Sequence, residues 1–205
     1  MPRLRRLLDT GAVAVAVFVT AACQAQTRSE TVSAQARPAA SGAVTAPPDQ
    51  ACDFTGTPEP KAGPQEAASA LLTDVRVGTH GCYERVVFEV RPRAGEAASP
   101  LGWSVRYQPG PITQDGSGDP VAVKGSAFLV VTLQATGVDL SQEGAPETYR
   151  GPATIEAAGT SRIVQVRRVG DFEGVSTWVV GLDARRPFRA ETVESPGRLV
   201  VDVGD

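Results

Sequence analysis

Among the residues that do covalent or proton-transfer chemistry, the sequence offers one histidine, His80, three cysteines, Cys23, Cys52 and Cys82, and abundant carboxylates. A Ser or Cys nucleophile needs a positioned base, and His80 alone is available for that role. It stands in Gly78-Thr-His-Gly81, the composition of a hairpin tip, where a surface turn or a ligand contact suits it better than catalysis. No Gly-x-Ser-x-Gly, His-Glu-x-x-His or phosphate-loop pattern accompanies it. Without a Cys-x-x-Cys pair or a second histidine, no metal site is expected, and no cofactor. Gln114-Asp-Gly-Ser-Gly-Asp119 places oxygen ligands at alternate positions, but Pro120 and Ser126 stand where a calcium loop needs Gly and a bidentate Glu. It reads as a flexible turn in which Asp115 and Asp119 can bind ligand hydroxyls. The carboxylates leave a paired-acid glycosidase open as a minor alternative, because the separation that defines such a site is not a property of sequence.

Charge excludes one class of partner. Over residues 65–205 there are 14 Lys and Arg against 18 Asp and Glu, a net −4, and no basic footprint for nucleic acid exists. The pairs Arg167/Arg168 and Arg185/Arg186 are flanked by acidic residues and read as solvated strand and turn positions.

The chain begins with an address. Arg3, Arg5 and Arg6 precede a 12-residue apolar run, Gly11–Ala22, which has the length of a signal-peptide core and falls short of a membrane span. The run ends at Ala21-Ala22-Cys23, which resembles the lipobox of bacterial lipoproteins; that resemblance implies diacylation of Cys23 and a membrane anchor, with residues 1–22 removed. Residues 23–64 are mostly Ala, Ser, Thr, Pro, Gln and Gly and cannot bury enough surface to offset the entropy of ordering them. They are expected to form a disordered tether of roughly 35 Å reach. Setting Cys23 aside, Cys52 and Cys82 are an even pair in an oxidising compartment, which favours one disulfide tying the end of this segment to the first hairpin.

The elements that must position these residues are strands. In Arg85–Val90, Val86, Phe88 and Val90 share one face and Arg85 and Glu89 the other; Trp103, Val105 and Tyr107 alternate with Ser104 and Arg106. Ala127–Leu133 is apolar on both faces, as a strand covered on both sides would be. Further runs are Leu71–Val77, Ala153–Ala157, Ile163–Val169, Thr177–Leu182, Phe188–Val193 and Leu199–Val203. Their spacing predicts an all-β sandwich or barrel over residues 65–205, with no sustained helical repeat. Trp103 and Trp178 alternate with apolar neighbours and belong to the core, while Arg85 and Arg106 point away from the apolar faces and are the preferred ligand contacts.

Val75-Arg-Val-Gly-Thr-His80, Glu84-Arg-Val-Val-Phe-Glu89 and Pro196-Gly-Arg-Leu-Val-Val-Asp202 together resemble the AMIN and AMIN-like domains of bacterial envelope proteins, over about residues 70–205. The resemblance implies a sandwich of two small sheets and a role in peptidoglycan or envelope targeting. Extra loops near Pro109–Pro120 and Gln134–Pro152 lengthen this domain relative to a typical member, and no catalytic domain follows it. The expectation is an exported, monomeric, non-enzymatic lipoprotein facing the wall or periplasmic space. Its domain would bind a cell-wall glycan or, alternatively, dock an envelope protein such as a wall enzyme or secretion component.

Overall fold

Alternating apolar side chains become sheet where two such faces can be closed over each other, and a computed structural model, which describes residues 53–64, 69–195 and 197–205, contains strands and turns and no helix among them. Eleven strands are present: β1 (Lys61–Ala62), β2 (Ala70–His80), β3 (Tyr83–Arg91), β4 (Trp103–Gln108), β5 (Ala127–Leu133), β6 (Ala135–Thr136), β7 (Thr154–Glu156), β8 (Ile163–Phe172), β9 (Val175–Leu182), β10 (Phe188–Val193) and β11 (Arg198–Val203). A six-stranded sheet runs β1-β4-β5-β9-β8-β7, and a five-stranded sheet runs β10-β11-β3-β2-β6. Every pairing is antiparallel except β2 with β6. All nine anticipated runs are strands, and the architecture is the expected two-sheet sandwich.

Side chains from both inner faces fill the space between the sheets. Leu72, Val86, Phe88, Leu199 and Val201 come from the five-stranded sheet, and Val105, Leu129, Val131, Trp178 and Val180 from the six-stranded one. Trp178 sits at the centre, with the rings of Phe88 and Tyr149 edge-on to it at 5.9 and 5.4 Å. Both tryptophans are buried, as their alternation requires.

The outer face of the six-stranded sheet carries a second, smaller core. Val130, Val169 and Val179, out of phase with the inner residues, pack with Ile112 beneath a flap formed by residues 109–126, joined by Val121 and Val123. This explains why β5 is apolar on both faces. The flap is tied down by Asp115 N–H to Val169 O (2.9 Å), Ser126 N–H to Leu182 O (2.7 Å) and Arg167 Nη1 to Ala122 O (2.8 Å).

Residues 53–64 differ from the expectation of a disordered tether. They form a strap along one side of the sandwich: Phe54 packs on Gly204 and lies 5.9 Å from the Tyr83 ring, Thr57 bridges to Phe188, and β1 extends the six-stranded sheet beside β4. Small and polar composition hid this segment, because its contacts are a few large side chains and edge hydrogen bonds in place of a periodic apolar face. The expected signal peptide, Cys23 and Cys52 lie outside the described residues.

Candidate functional site

The strand ends gather at two poles. One pole holds the β2–β3 hairpin tip, the β7–β8 turn and the last residues of the chain, and there the polar groups converge. His80 and Tyr83 are register partners across a two-residue loop, and their rings stack at 4.8 Å with an interplanar angle of 17°. His80 is exposed, so one face of the stack is open to solvent. Thr79, His80, Gly81, Glu84, Gly159, Thr160, Ser161 and Arg162 line a shallow open cleft between the two turns.

Glu84 builds the wall of that cleft. Its side chain points inward from β3, where alternation would place an apolar residue, and it is buried. Its carboxylate accepts the N–H groups of Ser161 (2.6 Å), Arg162 (2.9 Å) and Ile163 (2.7 Å) and the Ser161 hydroxyl (3.1 Å). Successive N–H groups of this kind form an anion nest, here filled by the protein's own side chain. Burial alone pushes the Glu84 carboxyl up, but the backbone N–H groups of Ile163, Ser161 and Arg162 outweigh it and hold the group below the usual carboxylate range.

From Glu84 an alternating row of charge runs outward. Arg162 lies 3.6 Å from Glu84 and pairs with Asp205 through two contacts; Arg186 donates to Asp205 (2.9 Å) and to both oxygens of Asp183 (2.8 and 2.7 Å). The hydrogen bonds from Arg162 and Arg186 hold the Asp205 carboxyl low, and that from Arg186 does the same for Asp183. Arg186, expected to be merely solvated, is therefore one rung of this row.

A second row crosses the outer face of the five-stranded sheet. Asp202 of β11 stands in register between Arg85 of β3 and Arg189 of β10. It accepts from Arg85 at 2.6 and 2.9 Å and from Arg189 at 2.8 Å. Tyr83 covers both guanidiniums, at 5.1 and 4.9 Å, and Phe54 of the strap covers Arg189 at 5.3 Å. Two of the three sequence motifs thus meet, Arg85 of the second gripping Asp202 of the third.

Of the residues singled out by sequence, His80 and Arg85 come together through Tyr83. Arg85 was expected to point outward and does so, but its guanidinium is engaged by Asp202. Arg106 lies elsewhere, on β4, bonded to Gln108 at 3.1 Å. Asp115 and Asp119 belong to the flap: Asp115 packs over Gly170, and the Asp119 carbonyl accepts Gln114 N–H at 2.8 Å. Neither joins the cleft's lining. Sequence reasoning missed Glu84, Thr160, Ser161 and Arg162. A charged residue at an inward position of β3 was the one available signal for Glu84; nothing local announces the 160–162 turn, which acquires its role from a strand 77 residues away in sequence.

The class the structure defines is a two-sheet β-sandwich with its polar groups in an open cleft at one pole. The family model of the AMIN-like domain matches residues 70–205, and the chain belongs to that family. Such domains are generally found in the envelope or periplasm, consistent with an exported protein. No curated protein and no solved structure matches the chain. The strap lies N-terminal to the matched region.

Proposed function

We propose that this chain is a non-enzymatic, lipid-anchored envelope protein whose polar pole binds peptidoglycan or another wall polymer. The observation that carries the reading is the open cleft beside the His80–Tyr83 stack: a ring face for the C–H face of a sugar, flanked by the Thr79 hydroxyl and by the Arg162 guanidinium. Arg162 is held between Asp205 and Glu84, so a hydroxyl or carbonyl of the polymer would meet a donor whose ordering is already complete. Co-sedimentation of the full chain with purified sacculi at low salt tests it. Binding should fall at least fivefold in His80→Ala and stay unchanged in Arg106→Ala. Failure of the chain to co-sediment sinks the reading.

Anchoring through Cys23 is the second part of the proposal, and Cys23→Ala should move the protein from the membrane to the soluble fraction. A Cys52–Cys82 disulfide is the third. Phe54 lies against Tyr83, the neighbour of Cys82, which brings the chain entering at residue 53 close to the hairpin tip. Thiol titration of the unreduced, unfolded protein should then find neither of these cysteines reactive, and one newly reactive thiol in Cys52→Ser.

A further inference from the structure

The pole opposite the polar cleft has the reverse character. Among the described residues the exposed large hydrophobics are Phe172 (72%), Leu140 (66%) and Val193 (37%), and all three stand there. Bonds tie the Phe172 hairpin to the segment of Leu140, whereas Val193 stands on β10, at the other edge of the five-stranded sheet from β6. Asp171 accepts from Thr136 Oγ1 at 2.7 Å and Gly137 N–H at 3.1 Å, setting the tip of the β8–β9 hairpin on the segment that leads to Leu140. Ser69 donates to Gly174 O at 2.7 Å, and Arg93 reaches both Ser69 and, at 4.0 Å, Asp139. Ser69 and Val193 in turn line a cleft of about 250 Å³ whose apolar lining includes Val90, Ala97, Pro100 and Leu101.

The rim is acidic. Glu96, Glu143, Glu147, Glu173 and Glu194 are exposed on the loops of this pole, against the exposed cations Arg91 and Arg150 and the half-buried Arg198, which lines the cleft; Arg93 is turned inward onto Ser69. Glu173 is held at φ 49° in the two-residue turn before Gly174 (φ 81°), a position suited to Asn, Asp or Gly. A glutamate is thus kept at a backbone conformation it disfavours, beside the most exposed phenylalanine of the domain.

We propose that this pole is a docking surface for a basic protein segment carrying large apolar side chains. Apolar groups would enter the cleft and cover Phe172 and Leu140, while Lys or Arg would meet the glutamates. The same charge disfavours the other occupants: a second copy would bring two acidic rims together, and an anionic bilayer would be repelled. This surface is separate from the polymer cleft and does not depend on it.

Fluorescence anisotropy with the full chain and three labelled octapeptides tests the proposal: alternating Lys-Leu, alternating Glu-Leu and alternating Lys-Ser. The Lys-Leu peptide should bind at least tenfold more tightly than either control. Phe172→Ser and Glu173→Gln should each weaken it fivefold or more with thermal unfolding no lower, and His80→Ala should leave it unchanged. Equal binding of the Glu-Leu peptide, or indifference to Phe172→Ser, overturns the proposal. So does self-association in sedimentation, or flotation with anionic vesicles, that Phe172→Ser abolishes, since either would assign the surface to another occupant.

Discussion

Asp202 is an acceptor that two cations share, and its removal leaves Arg85 and Arg189 facing an empty row on the sheet. Their side chains stay 25% and 35% exposed, so water compensates part of the loss, and Asp202→Ala should cost about 2–3 kcal/mol, less than the roughly 3–5 kcal/mol of a fully buried pair. Urea unfolding measures this; a loss under about 1 kcal/mol would show that the arginines re-solvate freely. Glu84 acts through its nest, and Glu84→Gln should cost about 2 kcal/mol, because an amide presents N–H where three backbone N–H groups need an acceptor. The sign of its pH dependence follows from a folded-state value held below the ordinary 4.5. The stabilisation is complete above that ordinary value and is lost as pH falls through the lower, folded one. Asp183 and Asp205 are depressed in the same direction, so stability should be flat above about pH 5 and decline below about pH 4. In Glu84→Gln the decline should be shallower, and an unchanged acid slope would contradict the nest. At the other pole, Glu173→Asn relieves the positive-φ penalty and should raise stability by about 0.5–1 kcal/mol, read as an increase in the urea midpoint.

At the scale of elements, the flap and the strap show how a sandwich finishes its exposed surfaces. The flap must cross β9 at close range: a Cβ on Gly181 would lie 1.8 Å from the Lys124 carbonyl oxygen, a backbone atom that cannot move without lifting the flap. Gly181→Ala should therefore cost about 2–3 kcal/mol and render residues 111–125 newly sensitive to protease, because Ile112, Val121 and Val123 lose their seat. Cleavage confined to other loops would show that the flap tolerates the displacement. The strap depends on a similar approach, Phe54 lying where a side chain on Gly204 would be. Strand positions were legible because period-two alternation is a local property. The strap and β6 were not, since a two-residue strand has no periodicity and exists only because a neighbouring edge offers partners.

Across the whole molecule the two poles divide the polar and apolar roles, and the strap runs between them, from Phe54 at the polar pole to Pro64, which lines the apolar cleft. Its contacts with both sheets make it part of the cooperative unit. Phe54→Ala should cost about 2 kcal/mol, a half-buried ring's share, and lower Tm by roughly 4–8 °C. A Tm within 1 °C of the parent's would mean that the strap detaches without consequence.

The sequence by itself determined the class of fold, nine strands with their inward faces, and the motifs of the family, because alternation and turn chemistry act over a few residues. It also marked His80 and Arg85. Only the tertiary structure decided what these residues do, since Arg85 meets Asp202 across 117 positions and Glu84 meets Ser161 across 77. Arg106, Asp115 and Asp119, equally plausible as polar residues on a strand and in a glycine loop, fell on other surfaces for the same reason: which loops share a pole depends on strand order, and strand order is set by the packing of the whole core.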